Sequence, residues 1–179
     1  MFLIRLDATK TSNAFSILSS SFNEGMDSRG ESPTLMGLLA SACDVLADTG
    51  SIFFQVGGFG QARWPVDVRT DLLVLLEQLQ HFLGWLDLSL IESDAFELDF
   101  YEQGIQRLLT FRKTQTVIEV SCSSQTKWQP RPKLETIAPA DLEKSLKSLV
   151  ETFHSSIEQF CPSVYKEELY REWLTNLCA

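Results

Sequence analysis

The chain of 179 residues is 44% hydrophobic and 22% charged, a composition that argues against a disordered chain and predicts a single globular domain over residues 1–179. Its formal net charge of −9 at pH 7 argues against a nucleic-acid-binding protein, because phosphate contacts are made by Lys and Arg. No long, uninterrupted apolar run occurs, so the sequence predicts no membrane-spanning segment.

Four cysteines, Cys43, Cys122, Cys161 and Cys178, lie far apart and show no CxxC spacing. The first ten residues have no basic segment ahead of their apolar residues, so they do not match a secretory signal. We therefore expect a cytoplasmic protein whose thiols are reduced and buried.

The first part of the chain predicts a strand, a loop and a helix. Residues 2–7 alternate apolar and polar side chains, which is typical of a strand. Residues 8–31 are rich in Ser, Asn and Gly and predict a loop. Ser32 and Pro33 predict the start of a helix that ends at Gly50, since Ser caps helices, Pro fits their first turn and Gly is favoured just after their last residue.

The next segment, SIFFQVGGFG, predicts a strand that runs into a glycine cluster. This cluster matches neither the dinucleotide-binding nor the P-loop pattern, and we interpret its glycines as a bulge, a tight turn or a site of close backbone packing. Asp67 is the predicted N-cap of a long amphipathic helix, whose apolar residues recur at helical spacing from Leu72 to Leu86.

Residues 96–122 predict a three-stranded antiparallel meander, FELDFY, RLLTFR and VIEVSC, joined by short turns. Apolar and polar side chains alternate along all three strands, which is typical of a sheet packed on one side only. The predicted inner face contains Phe96, Leu98, Phe100, Leu109, Phe111, Ile118, Val120 and Cys122. The predicted outer face contains Glu97, Asp99, Tyr101, Thr110, Arg112, Glu119 and Ser121.

A polar loop, SSQTKWQPRPKLETIAP, connects the meander to two C-terminal amphipathic helices that Pro162 separates. Together these elements predict one α+β domain. We expect an antiparallel β-sheet of about four to six strands, with helices packed on one face.

Acidic side chains are concentrated in residues 67–104, where one basic residue, Arg69, faces nine acidic ones, a balance of −8. A concentrated acidic surface attracts a basic partner and disfavours wrong partners. The alternative is that Arg107, Arg112 or Lys113 neutralises this charge in the folded chain.

Glu97 and Asp99 lie two residues apart on one face of a predicted strand, so their carboxylates are neighbours. Such a pair could act as a general acid and base, or could bind Mg²⁺ or Ca²⁺. An enzyme or a metal-binding protein that uses Glu97 and Asp99 is therefore the alternative function. The pair is predicted to face solvent rather than a cleft, which favours a solvated or docking surface.

Trp128 lies in the polar loop beside Lys127, Arg131 and Lys133. Trp and Arg are enriched at the hot spots of interfaces, so this loop is a candidate recognition element. Alternatively, Trp128 folds back as a lid on the sheet.

The segments GGFGQARWPVDVRTDLLVLLEQL, ELDFYEQGIQRLLTF and CSSQTKWQP together resemble a family of small bacterial proteins associated with the immunity proteins of polymorphic and contact-dependent toxin systems. The resemblance spans residues 52–130. It implies a cytosolic protein that binds and blocks a toxin domain, often a basic nuclease.

We therefore expect a protein-binding protein, and most specifically an immunity protein that neutralises a basic toxin domain through an acidic surface. The expected partner is a basic protein, not a nucleic acid or a membrane. The sequence implies no cofactor and no metal, and it assigns no catalytic residue. The predicted contact residues are Glu97, Asp99, Tyr101, Glu102 and Glu119, with Trp128 as an anchor.

Overall fold

The computed structural model of the protein describes residues 1–9, 33–87, 95–101 and 105–178. The predicted helix cap Ser32, the predicted contact residue Glu102 and nearly all of the predicted loop over residues 8–31 lie outside these ranges. The described residues contain antiparallel strands and helices, with four strands in succession followed by three helices, and the predicted α+β class is confirmed.

Six strands and five helices are present in the described residues. The strands are β1 (Leu3–Ala8), β2 (Ile52–Gly57), β3 (Phe96–Phe100), β4 (Arg107–Lys113), β5 (Ile118–Ser124) and β6 (Leu134–Ile137). The helices are α1 (Leu35–Thr49), α2 (Asp71–Leu86), α3 (Pro139–Phe160), α4 (Pro162–Lys166) and α5 (Glu168–Cys178).

The strands form two antiparallel sheets rather than one continuous sheet. β1 pairs with β2, and the other four form a sheet in the order β3-β4-β5-β6. In the four-stranded sheet, Leu98, Leu109 and Cys122 lie in register on the inner face, and Glu97, Thr110 and Ser121 lie in register on the outer face. The alternation of apolar and polar side chains along β3, β4 and β5 therefore places the two faces as the sequence predicts.

Aromatic side chains join the two sheets and α2 into one core. The ring of Phe82 on α2 stacks on Phe96 at 4.5 Å and lies 4.7 Å from Phe111, between ring centroids. Phe2 meets Phe111 edge to face at 5.6 Å. These rings are buried or nearly so, and burying a large apolar side chain contributes about 1.5–3 kcal/mol to folding. They hold α2 against the inner face beside β3.

The first helix begins two residues later than predicted. Thr34, not Ser32, is the N-cap, because its side-chain oxygen accepts a hydrogen bond from the backbone N–H of Gly37 at 3.1 Å. The predicted end is confirmed, since Gly50 follows α1 with φ +61° and its backbone N–H donates to the carbonyl of Ala47.

The second helix also begins later than predicted. The side chain of Asp67 caps a turn, accepting hydrogen bonds from the backbone N–H and the hydroxyl of Thr70 at 2.7 and 3.0 Å. The helix then starts at Asp71, whose buried carboxylate accepts a hydrogen bond from the backbone N–H of Asp67 at 2.9 Å. The prediction of Asp67 as N-cap was therefore correct about its capping chemistry and wrong about the element that it caps.

Two predictions for the C-terminal third are corrected. The polar loop contains β6, which sequence patterning missed because its buried residue is Glu135 while Leu134 is exposed. The last predicted helix is divided into α4 and α5, because Glu167 is extended at φ −67° and ψ 135°.

The glycine cluster after β2 forms a tight turn, as predicted. The backbones of Gly58 and Gln61 hydrogen-bond each other at 2.8 and 3.0 Å across a turn in which Phe59 and Gly60 both have positive φ. A Cβ atom on Gly60 would lie 2.2 Å from the carbonyl oxygen of Arg131, so only glycine allows this close approach.

Cys43, Cys122 and Cys161 are buried and free of disulfide bonds, as the sequence predicts. Burial raises the pKa of Cys43 and Cys161 to about 12 and that of Cys122 to about 11. The thiols are therefore protonated at neutral pH.

None of the described helices has the length and apolar character that crossing a membrane requires.

Candidate functional site

Strand β3 is an edge of the four-stranded sheet, and helix α2 is tied to its backbone. The side-chain amide of Gln78 donates to the carbonyl of Asp99 at 3.1 Å, and its oxygen accepts from the backbone N–H of Asp99 at 3.0 Å. One residue along the helix, Glu77 accepts a hydrogen bond from the hydroxyl of Tyr101 at 2.9 Å. These contacts place one helix face and one strand in a fixed arrangement.

Three exposed carboxylates, those of Glu77, Glu97 and Asp99, lie on this arrangement, and we call them the acidic surface. None of the three forms an ion pair with any residue that the structure describes. Tyr101, 53% exposed, lies next to them. The surface therefore combines uncompensated negative charge with an accessible aromatic ring.

Arg69, the basic residue within the acidic segment, is held by α1 instead. Its guanidinium contacts the carboxylates of Asp44 and Asp48, each at 2.6 Å, and these hydrogen bonds raise its pKa. Arg69 therefore neutralises carboxylates of α1 and does not neutralise the acidic surface.

Lys113 does not neutralise the acidic surface either. Its ammonium donates to the backbone carbonyl of Trp85 and, at 3.4 Å, to that of Asp87, and it lies 4.7 Å from the centroid of the Trp85 ring. Burial lowers the pKa of Lys113. This cation caps the carboxyl-terminal end of α2, where the helix dipole is negative.

Arg107, which the sequence also offers for neutralisation, points to the inner face and is only 4% exposed. Its Cζ atom lies 3.6 Å from the ring centroid of Trp128 and 4.3 Å from that of Trp64. One of its terminal nitrogens donates to the side chain of Gln61 at 2.9 Å, and burial lowers the pKa of the guanidinium. Neither Arg107 nor Lys113 cancels the acidic charge. Arg112, the other cation of that alternative, lies opposite Glu119 and forms no ion pair with a described residue.

The remaining predicted contact residues are only partly brought together. Glu119, half-buried, lies on β5 directly opposite Arg112 on β4, so a basic side chain faces it on the outer face. One strand, β4, lies between Glu119 and Glu97, so two strand spacings separate them, a distance of about 10 Å or more. The acidic surface is therefore centred on α2 and β3, and Glu119 belongs to a neighbouring mixed-charge area.

Trp128 is half-buried and packs on Arg107 and on Trp64, whose ring centroid lies 5.9 Å away. This is the lid arrangement that the sequence left as an alternative. Its role as an anchor for a partner stays a prediction.

Sequence reasoning missed the internal contacts of two ionisable residues. Glu135 is 9% exposed, and its Oε1 accepts from the backbone N–H of Phe59 at 2.8 Å and from the amino group of Met1 at 3.2 Å. The signal for Arg107 was present, because it falls on the inner-face positions of its strand together with Leu109 and Phe111. Its aromatic neighbours come from distant loops and leave no local pattern.

Among the described residues, no group of three His, Cys, Asp or Glu side chains is arranged to hold a metal ion. The pair Glu97 and Asp99 thus has no third ligand of these types beside it in that part of the chain.

Comparisons with protein families, with curated proteins and with solved structures find no match to this chain.

Proposed function

We propose that this protein binds a basic protein partner through the acidic surface formed by α2 and β3. The observation that carries the proposal is that Glu77, Glu97 and Asp99 are exposed and lack any cationic partner among the described residues. Charges of one sign that the fold leaves unmatched raise the local potential and can increase association rates with an oppositely charged partner by about 10–10³-fold.

The local packing supports a docking role. Gln78 occupies the edge hydrogen-bonding groups of Asp99, so a partner would be recognised here by side chains and not by addition of a strand to β3. Tyr101 supplies an exposed aromatic ring that is already oriented by Glu77, and aromatic residues are enriched at interface hot spots.

The specific form of the proposal is an immunity protein that blocks a basic toxin domain. It rests on the resemblance of the three segments in residues 52–130 and on the sign of the acidic surface. In such a complex, the carboxylates would occupy the cationic cleft in which the toxin holds its own anionic substrate.

The first test is genetic context and growth. If the protein is an immunity protein, a neighbouring gene encodes a secreted protein with a basic C-terminal domain, and expression of that domain arrests growth unless this protein is co-expressed. A neighbourhood of biosynthetic genes, or a basic domain that remains toxic in its presence, would exclude the immunity role.

The second test measures the complex directly. The double variant Glu97→Lys, Asp99→Lys should associate about tenfold or more slowly with the basic domain, and the wild-type complex should weaken as salt is raised from 50 to 300 mM, on the order of the screening expected for surface charges. Thermal unfolding should be nearly unchanged, because both side chains are exposed.

A matched control reverses two exposed carboxylates elsewhere, Glu151→Lys on α3 and Glu172→Lys on α5. It changes the net charge by the same amount and leaves the acidic surface intact. Equal loss of binding in both double variants would show that only overall charge matters, and would reject this surface as the docking site.

A further inference from the structure

The guanidinium of Arg107 is buried with most of its hydrogen-bonding capacity unused. Arginine carries five N–H donors and stays charged in proteins. Its contact with Gln61 satisfies one terminal nitrogen, whereas Nε and Nη1 have no hydrogen-bond partner in the part of the chain that the structure describes. Buried donors of this kind are rare in folded proteins, so each one calls for an explanation.

The groups around Arg107 stabilise its positive charge but give most of its N–H donors no acceptor. Trp64 and Trp128 meet edge to face and form a corner around the guanidinium, in which cation–π contact stabilises the positive charge. Indole rings accept no conventional hydrogen bond in the plane of the guanidinium. The groups that match those in-plane donors best are the oxygens of a carboxylate or a phosphate.

Basic side chains surround the loop that covers this corner. Lys127, Arg131 and Lys133, which we call the basic loop, are all exposed, and Arg63 is exposed on the segment that carries Trp64. None of the four forms an ion pair with a described residue. Their positive potential attracts small anions to the entrance of the corner. This second observation is independent of the unused donors and selects the same chemical class.

We propose that Arg107 anchors a binding site for an oxoanion, a carboxylate or a phosphate group, that is closed by Trp128. Trp128 is half-buried and its segment has no regular secondary structure, so its displacement exposes the guanidinium without breaking a strand. The oxoanion then bonds the unused nitrogens of Arg107, and the indole closes over it. This site lies on the inner face and does not depend on the proposed acidic surface.

The test is a titration of the full-length protein with sodium phosphate, sodium acetate and sodium chloride at equal ionic strength. Tryptophan fluorescence and the melting temperature are followed together, because Trp64 and Trp128 both contact Arg107. A saturable change with phosphate alone assigns a phosphate site, and one with acetate alone assigns a carboxylate site. Responses that are the same for all three salts would overturn the proposal.

Substitutions show which residues the saturable response to the anion depends on. Arg107→Met should abolish the saturable change, whereas Arg112→Met, which removes the same charge from the exposed face of the same strand, should retain it. Trp128→Ala should speed anion binding and release by about tenfold or more, because the lid is removed. A saturable response that persists in Arg107→Met would show that the anion binds elsewhere.

If Arg107→Met does not fold, Arg107→Lys replaces it. Lysine keeps the charge but loses the planar set of donors, so oxoanion binding should weaken about tenfold or more. An unchanged response in the lysine variant would reject Arg107 as the anchor.

Discussion

The side-chain amide of Gln78 hydrogen-bonds both the N–H and the carbonyl of Asp99, at 3.0 and 3.1 Å. A helix side chain thereby reproduces the pair of hydrogen bonds that a neighbouring strand would make. Because the amide is planar and its two groups are satisfied together, α2 is held in register with β3. The arrangement of Glu77 relative to Asp99, and hence the acidic surface, depends on this contact.

The variant Gln78→Met should destabilise the protein by about 1 kcal/mol, because the two exposed hydrogen bonds to Asp99 and one to the carbonyl of Val74 are lost while helix propensity is kept. Hydrogen exchange at the amide of Asp99 should accelerate. Gln80→Met, an exposed position on the same helix, serves as the control and should change neither quantity. If Asp99 exchange is unaffected by the loss of Gln78, the contact does not hold the edge strand.

Gly60→Ala should be among the most damaging substitutions at an exposed position. Its φ of +82° and the approach of Arg131 O to 2.2 Å from the new Cβ mean that the turn must open, at about 3 kcal/mol or more. Gly50→Ala is the matched control, because φ is +61° there but nothing lies within 4 Å, so only about 1–2 kcal/mol is expected. Denaturant unfolding measures both, and equal losses would contradict the close approach.

Stability should fall in alkali because of the buried thiols. Their pKa values in the folded state, about 11 for Cys122 and about 12 for Cys43 and Cys161, exceed the ordinary value of 9.0. Below pH 9 both states keep their protons. Above it the unfolded chain loses them first, so each thiol lowers the free energy of unfolding by up to about 1.4 kcal/mol per pH unit until its folded pKa is reached.

Urea unfolding between pH 8 and 10.5 measures how steeply the free energy of unfolding falls with pH. Cys161→Ala should make this fall less steep by the contribution of one thiol. A second measurement uses a thiol reagent at pH 8 in a Cys178→Ser background. The three buried thiols should react only on unfolding. Rapid labelling of the folded protein would show that these thiols are accessible.

Tyr170→Phe should destabilise the packing of α3 on α5. The hydroxyl of Tyr170 is hydrogen-bonded to Nδ1 of His154 at 3.0 Å, and the Tyr170 ring is fully buried. Loss of this bond should cost about 1 kcal/mol in urea unfolding. Tyr165→Phe, on a more exposed ring that also stacks on His154, should have the smaller effect. The reverse order would mean that the buried hydroxyl is not stabilising.

Periodic segments of this chain could be predicted from sequence because a single physical signal defines them. The faces of β3, β4 and β5 follow from strict alternation of apolar and polar residues, and the end of α1 follows from a glycine that can adopt positive φ. By contrast, β6 has an exposed Leu134 and a buried Glu135. The buried carboxylate of Glu135 accepts a hydrogen bond from the backbone N–H of Phe59, a residue so distant in sequence that no local pattern encodes the contact.

The candidate site was predictable in its chemistry more than in its geometry. The concentration of acid in residues 67–104 is a property of sequence, and the exposure of Glu97 and Asp99 follows from alternation. The partners of the cationic side chains depend on tertiary contacts. Arg69 pairs with a carboxylate on α1, and Arg107 contacts two indole rings. Neither contact could be inferred without the fold.

The strand order β3-β4-β5-β6 places the acidic surface at one edge of a sheet and the basic loop, which leads into β6, at the other. Exposed carboxylates and exposed cations are therefore separated on the described residues. At low ionic strength, a cationic body is attracted to the acidic surface and a small anion to the basic loop. The protein thus offers separate places of encounter to a basic protein and to an anion.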